Sequence, residues 1–349
     1  MRLTKIVNTA AVAAAAVLML TGCRASETPA GDTGSTAAAS SLPQVVNIGT
    51  QQIPNDERLA IEKGFFEEEM GVKVNILEFQ AGDIRNAMIS KDIDFALLGS
   101  SSATLGIANG MDVELIWIHE VLGDAEQLVA RNGTQINSVK DLKGKRVATP
   151  FATTTHYSLL KALEENDMSE NDITLFDMQM PDLYAAWQRG DIDAAYAWEP
   201  TLSKLLEDGT SILSSKDMAA KGVVTSNVEI VRREFAEQYP HLVTKYIRAL
   251  NRAVEFYREN QADAVKTVAQ AMNLTEEEAQ KQMQGSIWLN AKEQLSPDYF
   301  GNDNEKGHLA ESLKDTADFL YRQKSLLSEP ELSTFEKAVN SAYIQRALQ

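Results

Sequence analysis

The feature that most constrains the fold of this chain is an ungapped internal repeat at a spacing of 99 residues. Residues 83–96 and 182–195 share six identities in fourteen positions, including Asp-Ile-Asp in both copies. Each copy has the pattern of a helix, a turn and a short apolar strand, and its first residue, Asp83 or Asp182, is expected to cap the helix. Convergent helix–turn–strand chemistry is the alternative explanation. The repeat predicts two similar α/β lobes.

The pattern around the repeat extends this prediction to most of the chain. Apolar strands alternate with amphipathic helices in both halves, which is typical of a mostly parallel sheet with helices on its faces. From about residue 235 onward the pattern is largely helical. Capping boxes are predicted at Thr275 with Glu278 and at Ser333 with Glu336. The fold class predicted is therefore α/β with two lobes.

The N-terminal residues have the pattern of an export segment. Residues 1–22 combine a short basic start with an apolar run that is too short to span a bilayer, which indicates a signal peptide. The run closes with Leu-Thr-Gly-Cys at residues 20–23, the pattern of a bacterial lipobox, and Cys23 is the only cysteine. We expect lipidation of Cys23 and a flexible tether over 23–44. An ordinary signal peptide with a chance cysteine is the alternative.

Charge and motifs exclude several classes of function. The formal net charge is −17 and no basic run is longer than two residues, which argues against a nucleic-acid partner. The four histidines lack metal-ligand spacing, and neither HExxH nor GxSxG is present. Phosphate-loop and dinucleotide-binding motifs are also missing from the sequence. We therefore expect no cofactor, no metal and no enzymatic activity.

The candidate site is predicted at the carboxyl ends of the strands, where open α/β sheets bind ligands. Two hydroxyl clusters, Ser100 to Ser102 and Thr153 to Thr155, precede helices and offer donors to an anion, although each alone fits an ordinary capped helix. Glu199 beside Trp198 offers a carboxylate and an indole to an amine. The ligand-binding residues predicted in this way are Gln51, Gln52, Asn55, Ser100, Ser101, Ser102, Glu126, Thr153, Thr154, Thr155, His156, Tyr157, Trp198 and Glu199.

Two segments carry a family resemblance. Residues 150–160, PFATTTHYSLL, and residues 185–196, AAWQRGDIDAAY, resemble the taurine-binding proteins of bacterial ABC importers, with sulfonate- and nitrate-binding proteins as wider relatives. The resemblance implies a type II periplasmic-binding-protein fold, with two lobes joined by crossing strands near Ala130–Asn132 and Thr225–Val231. It divides the body into a first lobe, 45–130 plus 225–349, and a second lobe, 131–224.

The resemblance also implies a function. In the family, hydroxyls and backbone N–H groups hold a sulfonate, and an acid holds the amine. The family has aspartate where this chain has Asn227, so Glu199 or Glu126 replaces that acid or the ligand lacks an amine. The implied function is that of a monomeric, extracytoplasmic lipoprotein, anchored to the bacterial cell membrane, that delivers taurine or a related small sulfonate to an ABC permease and its ATPase.

Three alternatives stay open. The same fold binds a different small anion or zwitterion, the lipoprotein is a sensor with no part in transport, or the chain is an enzyme. The third rests on the pyrimidine-precursor synthases of thiamine biosynthesis, which share this fold. The export signal, the missing histidine cluster and the lack of a second cysteine argue against it.

Overall fold

The computed structural model describes residues 42–349, so the predicted signal peptide, Cys23 and most of the predicted tether lie outside the described residues. The strands are β1 Val45–Thr50, β2 Lys73–Glu78, β3 Phe95–Gly99, β4 Val113–Leu122, β5 Glu126–Arg131, β6 Arg146–Thr149, β7 Thr174–Asp177, β8 Ala194–Trp198, β9 Gly209–Ser214, β10 Ser226–Arg232, β11 Ser286–Ile287, β12 Gly301–Asn302 and β13 Glu305–Lys306. Helices connect nearly all of them.

The helices are α1 Asp56–Glu62, α2 Phe65–Met70, α3 Ala81–Ile89, α4 Ser100–Ala108, α5 Thr154–Glu164, α6 Met180–Arg189, α7 Thr201–Leu205, α8 Ser215–Ala219, α9 Arg233–Gln238, α10 Pro240–Glu259, α11 Gln261–Met272, α12 Glu276–Met283, α13 Ala291–Gln294, α14 Leu309–Arg322, α15 Leu332–Ala338 and α16 Ala342–Ala347. In the described part of the chain, no helix has both the length and the apolarity needed to cross a bilayer.

Two sheets form the framework, and they share a five-strand topology to which the first adds the short edge strand β11. The first has the strand order β11-β4-β10-β3-β1-β2, and the second has the order β7-β6-β8-β5-β9. In the first sheet β2, β1 and β3 are parallel, and β10 lies antiparallel between β3 and β4. In the second sheet β7, β6 and β8 are parallel, and β5 lies antiparallel between β8 and β9. The predicted α/β fold with two lobes is confirmed.

The internal repeat is a structural repeat. α3 and β3 of the first sheet correspond to α6 and β8 of the second at an offset of 99 residues. The Asp94 carboxylate accepts a hydrogen bond from the Asn47 N–H at 2.8 Å, and the Asp193 carboxylate accepts one from the Arg146 N–H at 2.9 Å. Each aspartate therefore supplies an acceptor for a backbone N–H of the adjacent parallel strand.

The predicted capping role of the first aspartates is wrong. α3 begins after Gln80 and α6 begins after Gln179, so Asp83 and Asp182 lie in the first turns of their helices. A carboxylate in the first turn still interacts favourably with the positive end of the helix dipole. The aspartates therefore favour these helix starts through their charge.

The chain passes between the sheets earlier than the resemblance implies. β4 belongs to the first sheet and β5 to the second, so the first passage occupies residues 123–125 and not the region of Ala130–Asn132. The reason is that β5 pairs on both sides, with β8 and β9, which buries Leu128, Val129 and Ala130 inside the second sheet. The return passage occupies residues 220–225, before β10.

The C-terminal helices complete the first lobe. The core of the first sheet includes apolar residues of α10, α11, α14 and α15, whereas the segment from β5 to α8 forms two smaller cores, one of which also contains Phe319 of α14. Trp117 and Trp187 are at most 1% exposed, as expected for core residues. This packing holds the carboxyl ends of the central strands at one edge of each sheet, where the candidate site lies.

Candidate functional site

A pocket that is partly open to solvent lies where loops of both sheets meet. Strand ends, helix starts and the first passage between the sheets contribute to its wall. The lining residues are Gln51, Ile53, Pro54, Ala81, Leu98, Gly99, Ser102, Glu120, Leu122, Ala125, Glu126, Thr153, Thr154, Trp198, Glu199, Asn227, Gln282 and Ser286.

The starts of α4 and α5 face each other at this pocket. A Cβ atom on Gly99, which precedes α4, would lie 2.9 Å from Cγ2 of Thr154, the first residue of α5. Carbon atoms that are not bonded do not approach this closely. Glycine at position 99 therefore permits the close contact between a helix start of the first sheet and one of the second.

The two helix starts differ in how their backbone N–H groups are satisfied. The Thr153 hydroxyl caps α5 and accepts a hydrogen bond from the His156 N–H at 3.3 Å. The residue before α4 is Gly99, which has no side chain to cap with. The first N–H groups of a helix have no partner within it and carry the positive end of its dipole. The start of α4 is therefore suited to an anionic group.

The three predicted serines do not act together. Ser102 lines the pocket, and its hydroxyl accepts a hydrogen bond from Nη1 of Arg85 at 3.1 Å. The Ser100 hydroxyl instead accepts one from the Ser226 N–H at 3.3 Å, and Ser101 is buried outside the pocket lining. Successive residues of a helix are turned by about 100° from one another, since each turn has 3.6 residues. Three consecutive hydroxyls therefore cannot all face one pocket.

Two of the predicted acids line the pocket and are hydrogen-bonded through both oxygens. The Glu126 carboxylate accepts hydrogen bonds from the Thr154 hydroxyl at 2.5 Å and the Ser215 hydroxyl at 3.0 Å. Glu199 accepts two from Ser203, one from its N–H at 3.0 Å and one from its hydroxyl at 2.9 Å. Burial raises the pKa of Glu126 to about 7 and also raises the pKa of Glu199.

A third acid, Glu120, lines the pocket and was missed by sequence reasoning. It is 3% exposed on β4, and its Oε1 accepts a hydrogen bond from Nδ2 of Asn227 at 2.6 Å. Burial raises the pKa of Glu120 to about 7, against the effect of the Asn227 amide. The sequence does contain a signal for Glu120: two polar residues, His119 and Glu120, follow one another near the end of a strand that is mostly apolar. A buried strand rarely carries an acid without a partner or a function.

The charge of the pocket lining is one-sided. Three glutamates line it, and among residues 42–349 neither a lysine nor an arginine does. Trp198, half-buried, adds an aromatic face. The arrangement therefore combines uncapped helix N–H donors with carboxylates, which suits a small ligand that carries both charges.

The profile of the protein family described as NMT1/THI5 like matches residues 58–264. The chain belongs to the NMT1/THI5-like family. Among relatives of this family member, the taurine-binding periplasmic protein of Escherichia coli (strain K12) is 29% identical over 307 residues, 86% of this chain and 92% of that protein. A putative aliphatic sulfonates-binding protein of Bacillus subtilis (strain 168) is 28% identical over 346 residues, 97% of this chain and 96% of that protein.

Solved structures show the fold of this NMT1/THI5-like chain. The alkanesulfonate-binding protein SsuA from Xanthomonas axonopodis pv. citri, bound to MOPS, is similar with a TM-score of 0.72 at 21% identity, covering 86% of this chain and 99% of that one. The desulfurization enzyme DSZB has a TM-score of 0.62 at 16% identity, covering 88% and 99%. The fold is that of periplasmic binding proteins, as expected, and an enzyme shares it.

Several predicted site residues of this NMT1/THI5-like chain lie outside the pocket lining. The Asn55 side chain caps α1, the Thr155 hydroxyl lies 2.8 Å from that of Thr149, and exposed Gln52 bonds Glu78 at the outer mouth of the cleft. These side chains satisfy local backbone and neighbouring polar groups. Their prediction as ligand contacts rested on loop position alone, which does not determine where a side chain points.

The two predicted aromatic contacts next to α5 are also placed elsewhere. The His156 ring stacks on Phe151 at 4.4 Å, its Nδ1 accepts from the Ala152 N–H, and burial lowers its pKa to about 4. Tyr157 packs edge-on against Phe319 at 5.3 Å, in the core of the second sheet. His156 is therefore neutral at pH 7, and neither ring lines the pocket.

Proposed function

We propose that this chain is an extracytoplasmic solute-binding protein that captures taurine or a related small sulfonate and delivers it to an ABC permease and its ATPase. One observation carries the proposal, the meeting of two helix starts at a pocket that also holds buried acids. The names of the taurine-binding and aliphatic sulfonates-binding relatives support the ligand class. Binding alone explains the arrangement, so no reaction, cofactor or metal is part of the proposal.

The anionic end of the ligand is proposed to lie at the start of α4. Its uncapped N–H groups and the Ser102 hydroxyl offer donors, and Thr153 and Thr154 border the same space from the other sheet. A sulfonate has three oxygens that share one negative charge, so several neutral donors suit it better than a single cation. In a site that excludes water, each such hydrogen bond is stronger than at the surface.

We propose that the two segments that join the sheets act as hinges when the pocket opens and closes. Residues 123–125 and 220–225 are the segments that join the sheets, and small backbone changes there would separate the helix starts. Domain closure around a ligand by hinge segments is a common mechanism. The permease would then recognise the closed form.

The proposed location is outside the cytoplasmic membrane, with the chain held by a lipid on Cys23 after removal of residues 1–22. The lipobox pattern supports this anchor, and the E. coli relative is described as periplasmic. A chain bound in this way acts as a monomer beside its permease. Mass spectrometry of the membrane fraction tests the anchor, because a diacylglyceryl mass on Cys23 is expected and an unmodified cysteine contradicts it.

Isothermal titration calorimetry with taurine, ethanesulfonate and inorganic sulfate tests the function. We expect saturable binding of at least one of the two sulfonates. Ser102→Ala should weaken that binding by roughly 2–10-fold, the effect of one lost hydrogen bond. Ser101→Ala removes a hydroxyl outside the pocket lining and should weaken it less. If no sulfonate produces heat, the proposal is wrong, and a thermal-shift screen of other anions and zwitterions identifies the ligand instead.

The sensor alternative is tested by the genes beside this one. Genes for an ATPase and a permease next to the gene for this chain are expected for an importer. A neighbouring membrane kinase without a permease would instead support a sensor. An enzyme is the weakest alternative, since the one cysteine of the chain lies in the lipobox and His156 lies outside the pocket lining.

A further inference from the structure

The charge of the pocket sets a requirement on the ligand. Glu120, Glu126 and Glu199 line it and are at most 5% exposed, and no described lysine or arginine lines it with them. A buried carboxylate that remains ionised needs a compensating charge or strong hydrogen bonds. Among the described residues no ion pair involves these acids, and Arg85 contacts the lining through the Ser102 hydroxyl at 3.1 Å, so a ligand with a negative group only would leave the acids without a cationic partner. The pocket therefore favours a ligand that brings a positive group as well.

The hydrogen bonds of the three acids distinguish them. Both oxygens of Glu126 accept from hydroxyls of the second sheet's helices, and both oxygens of Glu199 accept from Ser203. Glu120 accepts one hydrogen bond, through Oε1, from Asn227. Among the described residues, Glu120 is thus the pocket acid whose second oxygen, Oε2, has no protein donor.

Asn227 both orients Glu120 and offers a second acceptor. Its Nδ2 donates to Glu120 at 2.6 Å, so its own Oδ1 is left as an acceptor without a donor among residues 42–349. The two residues lie opposite each other on the antiparallel strands β4 and β10, beside a bulge. An ammonium group has three N–H donors and suits two adjacent oxygens, one of them charged.

We propose that Glu120, oriented by Asn227, receives the ammonium group of the ligand and makes the protein selective for aminosulfonates over simple alkanesulfonates. This inference rests on the proposed function, because it assumes a sulfonate at the start of α4. It assigns the role of counter-charge to an acid 107 residues away in sequence from Asn227. Glu126 then orients the Thr154 hydroxyl at the pocket, and Glu199 is held by Ser203.

The surroundings of Glu120 are consistent with this role. The carboxylates of Asp56 and Glu126 disfavour its charged form, whereas His119 favours it. Burial opposes protonation of His119, but Asp56 at 2.8 Å and Glu229 at 2.9 Å raise its pKa well above the usual value. A ligand ammonium would add a positive charge on the pocket side of Glu120.

The test is calorimetry with taurine and ethanesulfonate, which differ by the amine, on the wild type and Glu120→Gln. Glutamine keeps the shape and the acceptor for Asn227 but removes the charge. We expect the wild type to bind taurine at least 10-fold more tightly than ethanesulfonate. E120Q should lose at least 10-fold in taurine affinity and retain its affinity for ethanesulfonate. Glu277→Gln removes one charge at an exposed site and is the matched control.

A second variant keeps the test decisive if E120Q folds poorly, which thermal unfolding would reveal. E120Q/N227D moves the carboxylate to the opposing strand, and we expect it to recover part of the taurine preference. If the wild type binds taurine but the ratio of the two affinities is unchanged in E120Q, or is lost in Glu126→Gln instead, the inference is wrong and the proposed function stands. If the wild type binds neither sulfonate, the proposed function itself fails.

Discussion

At the scale of single residues, the site carries a cost in stability. Glu120 and Glu126 both have a pKa of about 7 in the folded chain, mainly because burial disfavours the carboxylate. In the unfolded chain such groups titrate near their ordinary value of about 4.3. The folded state is therefore penalised as the pH rises between these two values, and the penalty is complete above pH 7. Functional sites commonly hold groups of this kind.

This cost predicts a pH-dependent effect of Glu120→Gln on the ligand-free protein. Between pH 4.5 and pH 8, the free energy of unfolding of the variant should improve relative to wild type by up to about 3 kcal/mol, since one pKa unit corresponds to about 1.4 kcal/mol. Urea denaturation at the two pH values measures this difference. Parallel pH profiles for the two proteins would show that Glu120 stays ionised in the fold at no cost.

At the scale of elements, the site depends on two helices that begin within van der Waals contact. Gly99 and Thr154 belong to different sheets, and the contact between them brings the N-terminal ends of α4 and α5 together. Both ends are positive because of the helix dipole. A ligand anion between them would reduce this repulsion, so we expect the contact to matter more for the bound state than for folding.

The helix contact predicts the effect of Gly99→Ala. Its Cβ would lie 2.9 Å from Cγ2 of Thr154, so the helix starts must separate. We expect at least a 10-fold loss in sulfonate affinity by calorimetry, with a smaller effect on thermal unfolding. Thr154→Ser removes Cγ2 and keeps the hydroxyl that donates to Glu126. The double variant G99A/T154S should recover most of the affinity, and equal loss in both variants would contradict this explanation.

Of the two capping boxes predicted from the sequence, one is confirmed and one is wrong. The capping box at Thr275 and Glu278 is present, with the hydroxyl and the carboxylate bonded to each other's backbone N–H. The one predicted at Ser333 and Glu336 is wrong, because α15 begins after Glu331 and Ser333 lies inside it. A capping box is a local interaction and is predictable when the helix start is right. An error of two residues in that start is enough to remove it.

At the scale of the whole molecule, each sheet receives one antiparallel strand next to a passage between the sheets. β5 follows the first passage, and β10 follows the second. Each passage therefore ends at an inner strand of the sheet that it enters. Ala125, in the first passage, lines the pocket and donates its N–H to the Gly285 carbonyl at 3.0 Å. Ala125 thus connects the pocket lining to the first of the two segments that we propose as hinges.

This arrangement predicts a change in overall dimensions on ligand binding. The contact between Gly99 and Thr154 indicates a closed form. Without ligand, the repulsion between helix starts and among the buried acids favours an open form. We expect small-angle X-ray scattering to show a smaller radius of gyration after taurine is added, and no change with inorganic chloride at equal ionic strength. Identical scattering with and without a bound sulfonate would contradict hinge closure.

The sequence by itself determined the α/β class, the two similar lobes and the approximate positions of α4 and α5, although it placed the start of α5 near His156 and not at Thr154. These features depend on hydrophobic periodicity, turn chemistry and a repeat, all of which are local and can be read along the chain. It also identified Glu126 and Trp198 among the pocket residues from their positions beside strands, whereas Asn227 came from the family resemblance.

Only the tertiary structure decided that Glu120 lies beside Asn227, that β5 belongs to the second sheet, and that Ser101 and Tyr157 lie outside the pocket lining. Strand pairing across more than a hundred residues brings the acid and the amide together, and nothing in the local pattern specifies that pairing. The direction of a side chain likewise depends on helix phase and on neighbours distant in sequence. The residue that we propose selects the ligand is therefore set by packing through space.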